Sequence, residues 1–294
     1  MLKRKVSITC VVLLMLTSGC AFKAIDRTKN IIYTCNNTGD KIPEQTLNVF
    51  APSSSRKLKP VLIFVHGGNW NSGKKGLYSF FGSRFARKGF VAVLPGYTKS
   101  PAADYATMAM QIATAVKWTK ENISRFGGDS NKIFISGHSA GGQLAALISL
   151  DGQYFEKLQI LNPLKGVVLI DAAGLDMFGY MKEENFPAGH TYLETFTADP
   201  KNWKKASPIY HLQKNVPPLL IYRGGKTYPS IIASNEKFID SLQARKIKFQ
   251  YILQPKKRHV PMILQFFNTN NKRYREIGSF MKEQTTGRIE SKKN

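Results

Sequence analysis

The chain has 294 residues, of which 43% are hydrophobic and 11% aromatic, which is enough for an α/β domain with a full core. No internal repeat with a period of 20–50 residues is visible, which excludes the repeat architectures. The formal charge is +24, but the basic residues are scattered and no nucleic-acid-binding motif accompanies them. We therefore expect no nucleic-acid partner. A solvated basic surface is the preferred interpretation, and a surface that binds anionic envelope lipids or polysaccharides is the alternative.

The N-terminal residues resemble a bacterial lipoprotein signal. Basic residues at positions 3–5 precede an apolar run at 6–16, and Cys20 follows a small residue. The apolar run is too short for a spanning helix. We therefore expect residues 1–19 to be a signal peptide and Cys20 to carry lipid chains that anchor the protein to a membrane. This places the protein in the bacterial cell envelope, facing the periplasm or the exterior. An ordinary cleaved signal peptide is the alternative.

Cysteine usage predicts neither a disulfide nor a metal site. Cys10 falls in the signal and Cys20 is assigned to lipid, so Cys35 has no partner for an internal disulfide. No cysteine–histidine spacing indicates a metal site, and no cofactor motif is present. We assign residues 20–44 to a tether and a first strand, 45–284 to the folded domain, and 285–294 to a basic tail.

Short apolar runs alternate with helical patterns along the domain. Strands are predicted at Val61–Val65, Phe90–Leu94, Lys132–Ser136, Val167–Ile170, Leu219–Tyr222 and Phe249–Leu253. Helices are predicted at Ala103–Phe126, Gly142–Leu150, Ser230–Ala244 and Val260–Met281. Apolar runs without alternation indicate strands buried on both faces. The pattern predicts a mostly parallel, doubly wound α/β sheet flanked by helices, with ligands at the carboxyl ends of its strands.

One long segment interrupts this alternation. Residues 173–210 follow the sixth strand of the expected fold and are rich in phenylalanine, tyrosine and tryptophan. Long insertions of this kind often form lids or binding loops. Two interpretations stay open, an apolar cover for the active site and additional core packing.

Gly137-His-Ser-Ala-Gly141 has the spacing of a nucleophile elbow. The predicted strand before it and the small-residue helix start after it give the required context. Glycines are needed because a Cβ atom would clash in so tight a turn. The following helix N-terminus directs free N–H groups toward developing negative charge. Ser139 is therefore the predicted nucleophile.

A second motif, Val65-His-Gly-Gly-Asn-Trp70, ends the predicted strand Val61–Val65. Acyl transfer builds negative charge on an oxygen, which needs two N–H donors from separate loops. We assign these to Gly67 and Gly68 on one side and Ala140 on the other. His66 is expected to have a positional role within its loop, and His138 a structural one.

Together, these residues resemble the esterase branch of the α/β hydrolases, which includes hormone-sensitive-lipase-like esterases, carboxylesterases and arylformamidases. The similarity covers about residues 45–282. It is carried by His66-Gly-Gly-Asn-Trp70, Tyr97, Trp118, Phe126-Gly-Gly-Asp129, Lys132–Gly142, Ser207-Pro208, Pro217–Ile221 and His259. The resemblance implies an α/β-hydrolase fold, and hydrolysis of carboxylic esters or small amides without a cofactor.

In this fold the catalytic residues follow the order serine, acid, histidine. His259 lies between the last predicted strand and the last predicted helix, and we prefer it as the base over His190 and His211. This order does not identify the acid, because Thr227 occupies the position where relatives usually carry an aspartate.

Some lipases of this fold take the acid from the preceding strand, which here ends in Asp171. Asp171, Asp176 and no acid at all remain as alternatives, with Asp171 preferred.

We therefore expect an enzyme, a serine hydrolase that cleaves short-chain or aryl carboxylic esters through an acyl-enzyme at Ser139. Two alternatives are kept. One is a formamidase-type amidase, indicated by the His-Gly-Gly-x-Trp loop. The other is a weakened or inactive hydrolase fold that serves as a binding protein, indicated by Thr227.

Overall fold

A computed structural model describes residues 24–34, 43–53 and 57–286. The predicted signal peptide at 1–19, the predicted lipidation site Cys20 and the end of the predicted basic tail lie outside the described residues. Within the described ranges, no helix combines the length and the apolar character that crossing a bilayer requires.

An eight-stranded sheet organises the described chain. Its strands are β1 (Ile25–Ile32), β2 (Thr46–Pro52), β3 (Lys59–Val65), β4 (Val91–Pro95), β5 (Gly128–His138), β6 (Leu164–Ile170), β7 (Leu219–Gly224) and β8 (Phe249–Gln254). They lie side by side in the order β1-β2-β4-β3-β5-β6-β7-β8. β2 runs antiparallel to both β1 and β4, and the other neighbouring strands are parallel. The predicted mostly parallel sheet is confirmed.

The inner strands are buried on both faces because their sequences are apolar without alternation. In β3, residues 61–65 are each no more than 1% exposed. Ile63 packs into one hydrophobic cluster and Leu62 into a second, since successive side chains of a strand point to opposite faces. β2 was not predicted as a strand. Asn48 and Pro52 interrupt its apolar pattern, and pairing with β4 buries it.

Helices cover both faces of the sheet. They are α1 (Ser79–Arg87), α2 (Tyr105–Asn122), α3 (Ala140–Leu150), α4 (Gln153–Lys157), α5 (Met177–Glu184), α6 (Thr191–Phe196), α7 (Pro200–Lys205), α8 (Pro229–Ala244), α9 (His259–Leu264) and α10 (Arg273–Glu283). Helices α2, α3 and α8 contribute to the cluster around Ile63. Helices α1, α9 and α10 contribute to the cluster around Leu62. This is the doubly wound arrangement that the sequence predicts.

The predicted final helix at Val260–Met281 is wrong as a single element. The structure has α9, a 3₁₀ turn at Gln265–Phe267, and then α10. Between them, the side-chain oxygen of Asn268 accepts from the N–H of Asn270, and that of Asn271 accepts from the N–H of Arg273. Asparagine side chains that bond the nearby backbone compete with helical hydrogen bonds, which ends the first helix.

The aromatic-rich insertion follows β6, as predicted, and folds into α5, α6, α7 and a 3₁₀ turn at Pro208–His211. Both interpretations of its aromatic residues hold in part. Phe196 is fully buried against Trp70, with ring centroids 5.0 Å apart. Tyr180 and Tyr192 instead line a cavity at the carboxyl edge of the sheet.

Candidate active site

Ser139 occupies a strained turn between β5 and α3. Its backbone has φ 56° and ψ −127°, a conformation that non-glycine residues adopt at a cost. A Cβ atom at Gly137 would lie 2.1 Å from the carbonyl oxygen of Gly141, so the tight turn requires glycine there. This geometry lifts the Ser139 side chain into the cavity and matches a nucleophile elbow.

His259 meets Ser139 at the carboxyl edge of the sheet. It is the first residue of α9, directly after the loop that follows β8. Its Nε2 lies 2.9 Å from the Ser139 hydroxyl oxygen. A nitrogen at this distance can accept the hydroxyl proton.

Asp171 completes a row of hydrogen bonds. It follows β6 directly, and its Oδ2 accepts from Nδ1 of His259 at 2.6 Å. The side chain has no exposed surface, and its Oδ1 accepts from the N–H of Gly224 at 2.7 Å. Of the three alternatives for the acid, the structure brings Asp171 against the histidine.

Thr227 also contacts this carboxylate, which the sequence did not predict. Its hydroxyl donates to Oδ2 of Asp171 at 2.5 Å and lies 3.4 Å from Nδ1 of His259. Thr227 therefore stands at the usual acid position and touches an acid supplied by the neighbouring strand. The only sequence signal was its place after β7, because the contact depends on the pairing of β6 with β7.

The other residues considered for the acid and the base lie elsewhere. Asp176 caps α5 by accepting from the N–H of Gly179 at 3.0 Å, and it lies 3.4 Å from the Lys237 ammonium. His190 caps α6, and His211 pairs with the carbonyl of Lys205. None of the three contacts Ser139 in the described structure.

The predicted oxyanion donors approach the serine from two sides. A Cβ atom at Gly67 would lie 3.1 Å from the Cβ of Ser139, so only glycine allows the loop this close. Gly68 lines the cavity beside Ser139 and has φ +133°. Ala140 is the first residue of α3, where backbone N–H groups lack a partner within the helix.

His66 holds the oxyanion loop from inside. Its Nδ1–H donates to the carbonyl of Gly67 at 2.8 Å, and its ring stacks on Tyr97 with centroids 4.4 Å apart. Burial lowers the pKa of His66 to about 4, so the ring is neutral at neutral pH. The indole N–H of Trp70 donates to Gln143 at 2.9 Å, which ties the end of the loop to α3.

The ring of His138 stacks on the ring of His259. The two rings are 4.6 Å apart, and Nε2 of His138 lies 3.3 Å from the carbonyl oxygen of His259. Burial, with a contribution from His259, lowers the pKa of His138 to about 3. The ring is therefore uncharged beside His259 at neutral pH.

The cavity above Ser139 has a volume of about 630 Å³. Its wall combines hydroxyl-bearing and aromatic side chains, which include Tyr78, Tyr180, Tyr192, Tyr228 and Ser230. Tyr192 is held in place by donating its hydroxyl to Oδ1 of Asn69 at 3.0 Å. Among the described residues, no cluster of histidine, cysteine, aspartate and glutamate gathers that could hold a metal ion.

Curated proteins with similar sequences include two esterases. Isoprenylcysteine alpha-carbonyl methylesterase ICME of Arabidopsis thaliana is 28% identical over 257 residues, which are 81% of this chain and 57% of that protein. Esterase LipC of Mycobacterium tuberculosis is 29% identical over 218 residues, which are 69% of this chain and 53% of that protein. The chain thus spans little more than half the length of these relatives.

Solved structures of the same fold include two further esterases. A truncated carbohydrate esterase from gut microbiota has a TM-score of 0.74 at 17% identity, over 90% of this chain and 98% of that chain. Esterase B from Lactobacillus Rhamnosis has a TM-score of 0.71 at 19% identity, over 88% of this chain and 87% of that chain. The predicted α/β-hydrolase fold is confirmed.

The sequence pattern of the BD-FAE family matches residues 47–235. This range is more than half of the chain, and it holds Ser139, Asp171 and the oxyanion loop. The predicted resemblance to carboxylesterases of the α/β-hydrolase superfamily is confirmed, and the chain belongs to the BD-FAE family.

Proposed function

We propose that this protein is a serine hydrolase that cleaves carboxylic esters through an acyl-enzyme at Ser139. The observation that carries the proposal is the row of hydrogen bonds from Ser139 through His259 to Asp171, at 2.9 and 2.6 Å. Similarity to proteins named as esterases supports carboxylic esters as the substrate class. An open cavity with a tyrosine-rich wall supports short-chain or aryl esters.

The reaction begins when Nε2 of His259 takes the hydroxyl proton of Ser139 while the serine oxygen attacks the ester carbonyl. Asp171 offsets the charge of the imidazolium and fixes its orientation. The negative oxygen of the tetrahedral intermediate accepts from N–H groups of Gly67, Gly68 and Ala140. His259 then gives its proton to the departing alcohol, which leaves an acyl-serine.

Hydrolysis of the acyl-serine repeats these steps with water. His259 takes a proton from the water as it attacks the acyl carbon, and returns the proton to the serine oxygen as the carboxylic acid leaves. His259 carries the proton in every transfer of this cycle.

The alternative of an inactive binding protein rested on Thr227 in place of the usual acid. The support for that alternative is weakened, because the Asp171 carboxylate contacts both Thr227 and His259. The formamidase-type amidase differs from the leading proposal only in its substrate, and no described contact favours the amide over the ester.

The test is labelling with a fluorophosphonate probe and turnover of p-nitrophenyl acetate and butyrate. Wild type should be labelled and should release p-nitrophenol. Ser139→Ala should lose both signals, because no hydroxyl remains to attack. Ser230→Ala is the matched control, since Ser230 also lines the cavity but lies outside the hydrogen-bonded row. Folded wild type that neither labels nor turns over would reject the enzyme in favour of the binding protein.

We propose further that the protein is anchored in the bacterial cell envelope through lipid on Cys20, facing the periplasm or the exterior. The support is the sequence pattern of residues 1–20. Metabolic labelling with an alkyne fatty acid should tag wild type and the Cys10→Ser control. Cys20→Ser should lose the tag. A tag that survives Cys20→Ser would contradict the anchor.

A further inference from the structure

An exposed apolar stripe lies beside the mouth of the cavity. Val260, Leu264 and Phe267 are 52%, 47% and 52% exposed. They are spaced four and three residues apart on α9 and the 3₁₀ turn that follows it, so they share one face. Val260 also lines the cavity. The stripe therefore starts at the opening that leads to Ser139.

The stripe continues onto the start of α1 and the residues just before it. The ring of Phe80 stacks on Phe267 with centroids 3.8 Å apart, and the ring of Tyr78 follows at 6.3 Å from Phe80. Tyr78 lines the cavity, and its neighbour Leu77 is 69% exposed. We call this set the apolar rim, which comprises Leu77, Tyr78, Phe80, Val260, Leu264 and Phe267.

The two chain segments that carry the apolar rim contain no acidic residue. Residues 45–103 and 241–275 hold many lysines and arginines but no aspartate or glutamate. Exposed cations of these segments that lie close to the rim in sequence are Lys74, Lys256, Arg258 and Lys272. An exposed apolar surface with a cationic border suits an interface that is both apolar and negatively charged.

We propose that the apolar rim and its cationic border dock this protein on an anionic lipid bilayer, with the mouth of the cavity turned toward the lipid. Aliphatic and phenyl side chains of the rim insert at the boundary between headgroups and acyl chains. The lysines and arginines attract the anionic headgroups. A second copy of this chain fits poorly, because two such cationic borders would repel each other.

The proposal is tested by sedimentation with vesicles of phosphatidylglycerol mixed with phosphatidylcholine, and with vesicles of phosphatidylcholine alone. The mature chain, which starts at residue 20, carries Cys20→Ser in every sample, so neither lipid nor the basic and apolar residues at 3–16 contribute to binding. The parent protein should partition more strongly onto the anionic vesicles. Leu264→Glu combined with Phe267→Glu should reduce this partitioning by about tenfold or more. Leu161→Glu is the matched control, because Leu161 is 92% exposed and lies outside the rim.

The charge contribution is separated by Lys256→Gln combined with Lys272→Gln, with Lys165→Gln and Lys214→Gln as the control pair. The first pair should weaken partitioning onto anionic vesicles, and the second should not. Binding that is weakened by Lys256→Gln with Lys272→Gln but unaffected by Leu264→Glu with Phe267→Glu would assign this face to a soluble polyanion and overturn the proposal. Equal binding of all variants to both vesicle types would also overturn it.

Insertion is measured with Phe267→Trp, which keeps an aromatic ring against Phe80. After subtraction of the emission of the parent, which has three tryptophans, the emission added by Phe267→Trp should shift to shorter wavelength on anionic vesicles, and that added by Leu161→Trp should not. This measurement stays decisive if Leu264→Glu combined with Phe267→Glu folds poorly. An unshifted Phe267→Trp spectrum on vesicles would contradict insertion. None of these readouts depends on ester hydrolysis, so a failure here is distinct from a failure of the proposed activity.

Discussion

The reacting residues and the wall of the cavity are built in different ways. Asp171 is fully buried and held by three donors from separate elements, Gly224, Thr227 and His259. Tyr180 and Tyr192 belong to the insertion, are partly exposed, and are positioned largely by contacts between aromatic rings. The sheet sets the positions of the reacting residues, whereas the insertion that follows β6 sets the positions of Tyr180 and Tyr192 in the cavity wall.

This difference separates chemistry from substrate choice. The sheet fixes the atoms that move protons, because each lies directly after a buried strand or at the start of a helix. Tyr180 and Tyr192 of the insertion line the cavity and are not part of the hydrogen-bonded row of Ser139, His259 and Asp171. We therefore expect substitutions in the first region to lower kcat, and substitutions in the second to change KM.

The largest effect should come from Asp171→Asn. An amide cannot offset the imidazolium charge, and in a serine triad this change lowers kcat by about 10⁴-fold. Steady-state turnover of p-nitrophenyl butyrate measures it. Asp176→Asn is the control: it keeps a side-chain oxygen to cap α5, removes the charge that faces Lys237, and should leave kcat unchanged. An active Asp171→Asn variant would mean that Asp171 is not the acid.

The acid shows where prediction from sequence stopped. Ser139 and the oxyanion loop are local motifs, in which spacing alone identifies the residues. Asp171 and Thr227 follow neighbouring strands, β6 and β7, and their contact depends on the register in which Ile170 faces Tyr222. A register between strands distant in sequence leaves no local pattern, so the three alternatives could not be separated.

The fold shows the same limit. Apolar runs located the inner strands because burial on both faces needs no information from partners. β2 was not predicted, because it becomes a strand through pairing with β4 more than through the pattern of its own sequence. The break between α9 and α10 was not predicted, because apolar residues continue at helical spacing through Phe266 and Ile277. The asparagines between them, which bond the backbone, interrupt the helix.

The buried histidine of the oxyanion loop should make stability depend on pH. Burial lowers the pKa of His66 from 6.5 to about 4. Between these values the unfolded chain binds more protons, so the free energy of unfolding should fall as the pH falls from 6.5 to 4. The contribution is about 3 kcal/mol across this window and is fully present above pH 6.5.

Urea unfolding at several pH values measures this dependence. His66→Gln should be less stable at neutral pH, because the packing on Tyr97 changes, but its stability should fall less steeply between pH 6.5 and 4. The slope with pH, and not the absolute stability, is the diagnostic quantity. An unchanged slope would show that His66 does not stay neutral through this window.

A smaller effect is expected from Thr227→Val, which keeps the shape of the side chain but removes its hydroxyl. Loss of the hydrogen bond to Asp171 frees the carboxylate to turn away from His259. We expect kcat to fall by about tenfold with KM little changed. Thr227→Ser keeps the donor and should retain most of the activity. Equal losses in both variants would point to packing at this position and not to the hydroxyl.

The smallest effect, and the one that tests the wall of the cavity, is expected from Tyr192→Phe. The change keeps the ring stacked on Phe186 at 5.0 Å but removes the hydroxyl that donates to Asn69. Without this hydrogen bond the ring is more mobile in the free enzyme. Fixing the ring when substrate binds then costs free energy, so KM for aryl esters should rise about threefold. Tyr192 contacts none of Ser139, His259 and Asp171, although its partner Asn69 follows the oxyanion residue Gly68, so kcat should change less than KM. Tyr210→Phe, in the same insertion but outside the cavity wall, should alter neither constant. A fall in kcat with KM unchanged would mean that the insertion helps to position the reacting atoms, and the two regions would then act as one.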